Sequence, residues 1–167
     1  MAQATRHCIL LFMRAPEKGR VKTRLAKTLG DDAALSLYQS FVLDTLDMLG
    51  RTRYPIIVCG HPEEKIPAID AWLGGRFPCR PQTGDSLGRK MANAFSRAFS
   101  EGFERVVLIG SDIPDLPDRT IEQAFLAIED GGAALGPSPD GGYYLVAFSA
   151  SAFSPRVFED IPWGTGK

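Results

Sequence analysis

HCILLFM (His7–Met13) is a continuous apolar run that does not alternate with polar residues after its first position. A strand with one wet face alternates, whereas a strand covered on both faces does not, so this stretch reads as the central strand of a mainly parallel sheet. Further along, YPIIVC (Tyr54–Cys59) and RVVLI (Arg105–Ile109) repeat the pattern. Between them fall segments of helical spacing. Asp31–Gly50 places Ala34, Tyr38, Phe41, Val42, Leu46 and Leu49 on one face, with Asp31 or Asp32 to open it and Gly50 to stop it. Ser86–Phe99 aligns Leu87, Met91, Phe95 and Ala98, and Asp118–Glu129 is a further helix opened by Pro117 or Asp118. The second half of Glu63–Gly74, after Pro67, reads as helix. Ala133–Leu135 and Tyr143–Phe148 read as short strands.

Strands alternating with helices predict a three-layer α/β/α, Rossmann-like architecture in a single domain over residues 1–167. With 167 residues, 44% of them hydrophobic, the chain can bury a core without disulfide or metal staples. Cys8, Cys59 and Cys79 lack a CxxC spacing, which argues against a disulfide framework and a zinc ribbon. No apolar run approaches the ~18 residues of a membrane span. The N-terminus, MAQATRHC, lacks a signal-peptide core, so a cytoplasmic location is expected.

Charge is unevenly placed. The net charge is −1, yet residues 1–30 hold seven basic groups and one acid. Arg14, Lys18, Arg20, Lys22, Arg24 and Lys27 fall together. On a near-neutral protein such a patch suits a compact anion better than nucleic acid, although a solvated basic surface gives the same pattern.

Ligands of parallel sheets gather at the carboxyl ends of strands, and three loops there carry unusual chemistry. In RAPEKGRVKTR (Arg14–Arg24), Pro16 and Gly19 shape an exposed path along which Arg14, Lys18, Lys22 and Arg24 can converge on phosphate. The first glycine of a P-loop is missing, and no G-x-G-x-x-G occurs. In GSDIPDLPD (Gly110–Asp118), Asp118 is explained as a helix-opening acid and Asp115 as a turn residue. Asp112 has no such local role beyond an Asx turn, and its hard oxygens suit Mg²⁺ or Mn²⁺. In GPSPDGGYY (Gly136–Tyr144), Asp140-Gly141-Gly142 fits a hairpin turn. The same loop could let a substrate approach the backbone, with Asp140 accepting from hydroxyls and Tyr143 or Tyr144 stacking or donating. No G-x-S-x-G elbow accompanies His7 or His61, which argues against a hydrolytic triad.

Together, MRAPEKGRVKTRLA (Met13–Ala26), QTGDSLGRKM (Gln82–Met91), GSDIPDL (Gly110–Leu116), PSPDGGYYLVAF (Pro137–Phe148) and IPWGT (Ile161–Thr165) resemble the nucleotide-diphospho-sugar transferase superfamily with the GT-A fold. The chain is most similar to the bacterial group DUF2064, some members of which are associated with arsenosugar biosynthesis. Guanylyltransferases that activate phospholactate share a K-T/S-R-L and a P-D-G-G segment. The resemblance implies that Arg14–Arg24 wraps a nucleotide, with Lys22 and Arg24 facing its phosphates. It also implies that Gln82, Gly84, Leu87 and Gly88 lie near the nucleotide. Asp112 takes the place of the metal-binding acid, although Gly110 replaces the first acid of a D-x-D. Asp140, Gly141, Gly142, Tyr143 and Trp163 fall on the sugar or acceptor side, with Asp140 joining Asp112 as a catalytic candidate. Family members extend past the tryptophan segment, so a C-terminally shortened or truncated form is expected.

The expected activity is glycosyl transfer from a nucleotide-sugar to a small acceptor, dependent on Mg²⁺ or Mn²⁺. Nucleotidyl transfer from a nucleoside triphosphate to a phosphorylated small molecule fits the same loops, as does a non-catalytic nucleotide-binding module.

Overall fold

The computed structural model describes residues 6–139, 141–159 and 161. Six strands form one sheet: β1 (His7–Arg14), β2 (Ile56–His61), β3 (Cys79–Pro81), β4 (Arg105–Gly110), β5 (Ala133–Pro137) and β6 (Tyr143–Ser149), in spatial order β3-β2-β1-β4-β6-β5. The pairings β2–β3, β1–β2 and β1–β4 are parallel, while β6 runs antiparallel to both β4 and β5. Five strands therefore end at one pole of the sheet, and β6 starts there.

The helices are α1 (Thr23–Leu29), α2 (Asp31–Gly50), α3 (Ile66–Trp72), α4 (Leu87–Ser100) and α5 (Asp118–Ala127). The apolar run of β1 divides between two cores. Ile9, Leu11 and Met13 pack with α2, α3 and α5 through Tyr38, Val42, Leu46, Ile69, Ile121 and Phe125. Cys8, Leu10 and Phe12 point the other way, to Met91, Phe95 and Ala98 of α4 and to Phe158 in a 3₁₀ turn over Pro155–Phe158. Covering both faces removes any need for polar alternation, which is why this strand is legible as central.

Three elements depart from the sequence reading. β3 has three half-buried residues, one Arg and one Pro, and no apolar pattern marks it. α1 begins at Thr23, so the first loop ends at Lys22 rather than Arg24. α3 starts at Ile66 after a 3₁₀ turn over Glu63–Lys65, and Pro67 lies inside its first turn, where a missing N–H costs nothing. By contrast, α4 opens at Ser86, whose Oγ accepts the Arg89 N–H at 3.2 Å.

All three cysteines are free. Burial pushes the Cys8 and Cys59 thiols up to about 12, and burial with the nearby Asp70 carboxylate pushes Cys79 up to about 11. Among the described residues, no helix is long and apolar enough to cross a membrane.

Candidate nucleotide site

At the carboxyl ends of β1 and β4 lies a cleft of about 680 Å³. Its floor is built by a tyrosine of α2. Tyr38 is 3% exposed. Its Oη donates to the Arg14 carbonyl at 2.9 Å and accepts the Arg14 N–H at 2.8 Å, and the Ser111 Oγ lies 3.4 Å away. One hydroxyl thus joins the chain leaving β1 to the chain leaving β4. Burial raises the pKa of Tyr38, with the hydrogen bonds to Ser111 and Arg14 partly offsetting it, so the phenol stays protonated.

Above this floor the first loop turns into α1 through Lys22, whose φ of 46° and ψ of 42° lie in the left-handed region. It is the single non-glycine residue with positive φ among those described. A long unbranched side chain there costs about 1–2 kcal/mol relative to a right-handed conformation. Its Nζ lies 3.0 Å from Asp112 Oδ1 and 5.6 Å from the Phe41 ring centroid. The cationic first loop and the Asp112 carboxylate therefore border one cleft.

Arg14, Lys22, Arg24, Gln82 and Asp112, all expected at a site, line this cleft together. Gln82 is fixed there by its own amide. Its Nε2 donates to the Cys59 carbonyl at 2.8 Å and the Met13 carbonyl at 3.1 Å, and its N–H donates to the Gly60 carbonyl at 2.9 Å. The reversed amide would set Oε1 against two carbonyl oxygens, so the carbonyl end is the one left for a ligand.

Other expected residues lie elsewhere. Lys18 turns away to Asp32 at 2.7 Å and is not among the lining residues. Gly84, with φ +133°, is required by packing: a Cβ would sit 2.9–3.0 Å from Arg89 and Lys90 at the start of α4. Gly88 lines a separate cavity of about 310 Å³ with Asp85, Arg89 and Phe158, while its neighbour Leu87 reaches the main cleft. Gly141 and Gly142 lie in the hairpin turn, where the Gly141 N–H donates to the Ser138 carbonyl and the Ser138 N–H to the Gly142 carbonyl. Because β6 is reversed, that turn stands at the same pole as Asp112. The Tyr143 hydroxyl donates to Met91 Sδ at 3.8 Å, and burial pushes its pKa up to about 12. Asp140 and Trp163 lie outside the described residues.

Sequence reasoning missed the parts that Tyr38, Leu25 and Arg20 take in the cleft. Tyr38 reads as core because its ring sits on the apolar stripe of α2, and nothing in the stripe reports the hydroxyl's use. Leu25 and Leu87, 40% and 46% exposed, give the cleft an apolar side, and Arg20 adds a fourth cation. The signal for Arg20 was its place in the basic run.

The donor set bears on a metal. Among the described residues, no three His, Cys, Asp or Glu side chains gather to hold an ion, and Asp112 is the sole acid lining the cleft. A dedicated protein cage does not fit. One hard carboxylate beside a cationic phosphate-sized cleft does fit the mode in which Mg²⁺ takes one or two carboxylates and completes its shell with substrate phosphates and water.

A family model described as an uncharacterized protein conserved in bacteria, DUF2064, matches residues 45–165. The chain belongs to this family. The DUF2064 chain also matches a crystal structure from Desulfovibrio desulfuricans G20, of a protein provisionally called a nucleotide-diphospho-sugar transferase. The two are 42% identical, with a TM-score of 0.93 over 97% of this chain and 71% of that one. More distant likeness extends to a cytidylyltransferase from Leptospira borgpetersenii (13% identity, TM-score 0.57, 94% of this chain and 69% of that). It also extends to CMP:2-keto-3-deoxy-manno-octonic acid synthetase complexed with CTP (10% identity, TM-score 0.58, 96% and 80%). These last two share the fold: the DUF2064 sheet is the mixed, mostly parallel sheet of the Rossmann-like nucleotidyltransferases and glycosyltransferases. No curated protein matches the chain.

Proposed function

We propose that this chain is a nucleotide-dependent transferase that acts on a nucleotide-sugar and passes the glycosyl group to a small acceptor. The observation that carries the reading is the 3.0 Å approach of Lys22 Nζ to Asp112 Oδ1 inside a cleft that also holds Arg14, Arg20 and Arg24. The name given to the 42%-identical relative supports a nucleotide-sugar as substrate.

In this reading the guanidinium groups of Arg14, Arg20 and Arg24 bind the diphosphate and oppose the charge that builds on it as the sugar–phosphate bond breaks. The Lys22 ammonium adds a point charge at the same place. Leu25 and Leu87 flank the apolar part of the nucleotide, and the Gln82 carbonyl accepts from one of its N–H donors. Asp112 would be the protein ligand of Mg²⁺ or Mn²⁺, which when bound supplies Lewis-acid neutralisation of the leaving diphosphate. Asp140, Gly141, Gly142, Tyr143 and Trp163 are assigned to the acceptor side on the resemblance, with Asp140 as the candidate that orients the acceptor hydroxyl. A cytoplasmic location belongs to the same proposal.

A second reading, nucleotidyl transfer from a nucleoside triphosphate, is favoured by the charge of the cleft. Four cations against one carboxylate exceed what a nucleotide-sugar diphosphate neutralises and approach the charge of a triphosphate.

The test is a thermal-shift panel of ADP, CDP, GDP and UDP with and without Mn²⁺, on the protein and on Asp112→Ala. At about 100 times its dissociation constant a ligand adds ~2.7 kcal/mol. For a chain of this size that is about 5–10 °C. The matching nucleotide is expected to give such a shift with Mn²⁺, and Asp112→Ala to lose the part that Mn²⁺ adds. Nucleoside diphosphate released from sugar nucleotides supports the first reading, and pyrophosphate from triphosphates with a phosphorylated acceptor supports the second. If no nucleotide shifts the protein under either condition, both fail.

A further inference from the structure

The ion pair at the centre of the cleft has an asymmetry that the proposed function leaves unexplained. Four cations line the cleft, and Arg14, Arg20 and Arg24 have no carboxylate partner among the described residues. Lys22 alone is held, and it is held by the one acid present. An ammonium 3.0 Å from Oδ1 occupies the direction from which a divalent ion would approach that oxygen at about 2.1 Å. Even at the other carboxylate oxygen, the ion would meet a fixed positive charge within a few ångströms.

We infer that Lys22 is a surrogate cation: in the ligand-free protein it neutralises Asp112 in place of the metal, and it is exchanged onto the polyphosphate when that ligand binds. The inference rests on the polyphosphate reading of the cleft and adds to it a direction of coupling. Metal and polyphosphate each remove one member of the same ion pair from the other. Each therefore finds its own partner released when the second ligand is present, and by linkage the effect is reciprocal.

The geometry permits the exchange. The Lys22 stem is long, and its ammonium already stands against a second attractive surface, the Phe41 ring. The segment that follows is lightly anchored, since α1 is seven residues long and buries none of them. Asp112 is 60% exposed at its side chain, open to solvent and to an incoming ion, whereas Lys22 is 21% exposed and shielded by the cleft. The left-handed backbone at Lys22 is a conformation glycine would adopt without cost, so the local fold gives no reason for a lysine there. The exchange gives one.

The test uses Lys22→Met, Asp112→Asn and the double variant, each checked by circular dichroism and urea unfolding. Two probes are used: Mn²⁺ alone, followed by electron paramagnetic resonance, and inorganic pyrophosphate in EDTA, followed by calorimetry. Lys22→Met is expected to bind Mn²⁺ about two- to fivefold more tightly than the unmodified protein, the factor that one exposed ion pair represents. Asp112→Asn is expected to lose Mn²⁺ binding and to bind pyrophosphate more tightly by a similar factor. Removing the carboxylate's repulsion alone would do the latter too, so the cycle decides. The gain from Asp112→Asn should shrink about two- to fivefold when Lys22 is already Met.

Equal Mn²⁺ affinity in the unmodified protein and Lys22→Met, or no Mn²⁺ binding to either, overturns the exchange. So does a pyrophosphate gain of the same size in both backgrounds. Pyrophosphate that binds without these cross-effects sinks the exchange alone, whereas failure of pyrophosphate to bind any of the proteins sinks the polyphosphate reading with it.

Discussion

Tyr38→Phe isolates one oxygen atom and asks how much of the cleft it holds in place. The ring keeps its burial on α2, so apolar packing is unchanged and the substitution opens no methyl-sized void. What is lost is the pair of bonds to the Arg14 backbone, at 2.8 and 2.9 Å, and the 3.4 Å approach to Ser111. A net hydrogen bond is worth about 0.5–1.5 kcal/mol, and a buried group left unpaired costs ~1–3 kcal/mol. Two bonds to one partly buried peptide therefore give an expected loss of about 1.5–3 kcal/mol. At ~2–4 °C per kcal/mol for a chain of this length, the melting temperature should fall by roughly 3–12 °C. The assay is urea unfolding followed by circular dichroism, with the slope unchanged because the exposed surface is unchanged. Ser111→Ala, which removes only the long contact, should cost less than half as much. A Tyr38→Phe loss below ~0.5 kcal/mol, the size of an ordinary surface change, would show that water replaces the hydroxyl and that the floor does not depend on it.

Three further outcomes follow from the same geometry. Lys22→Gly should be more stable than Lys22→Ala by ~1 kcal/mol, since both lose the ion pair and only glycine escapes the left-handed penalty. The opposite order in urea midpoints would show that residue 22 does not hold that conformation. Gly60→Ala, at the end of β2, would place a Cβ 2.5 Å from Ile69 Cδ1 and 2.8 Å from Ile66 Cδ1. Overpacking of this kind costs about 1–3 kcal/mol. Shortening Ile69 to Val in the same chain should recover part of it, and no recovery would place the strain elsewhere. For pH, burial and then Arg105 lower the pKa of His7, and burial and then Lys90 lower that of His61. Their ring nitrogens face Arg105 Nη1 and Lys90 Nζ, each at 3.3 Å. The unfolded chain then takes up the proton first, so the stability given by the neutral rings is full above about pH 6.5 and is lost as pH falls from there through the lowered folded values. Urea midpoints between pH 5 and 8 should show this limb, and His7→Gln with His61→Gln should flatten it. An unchanged slope in the double variant would assign the limb to other groups.

The parts of the molecule written as local pattern were the parts legible in the sequence. The apolar run of β1, the stripe of α2 and the helical spacing of α4 are properties of neighbouring residues, and each appears where its pattern places it. β3 has no such pattern: its three residues are a strand because β2 offers them a partner. The site divides in the same way. Lys22 and Asp112 are named by their strand ends, but their meeting is a product of the parallel β1–β4 pairing. Lys18, one residue before the glycine of the first loop, reads like its cationic neighbours, and only a partner fourteen residues away explains why it leaves them. Tyr38 is the extreme case, because the partners of its hydroxyl lie 24 and 73 residues distant.

The three free sulfhydryls, two buried and one half-buried, have a practical outcome. With Cys8 and Cys59 at about 12 and Cys79 at about 11, almost none of the nucleophilic thiolate exists at neutral pH. A cysteine introduced at an exposed site such as Lys27 of α1 would thus take a maleimide dye selectively, with the natural three left in place. A fluorophore so attached would stand on the short helix next to Lys22 and could report, in real time, whether that segment moves as the cleft fills.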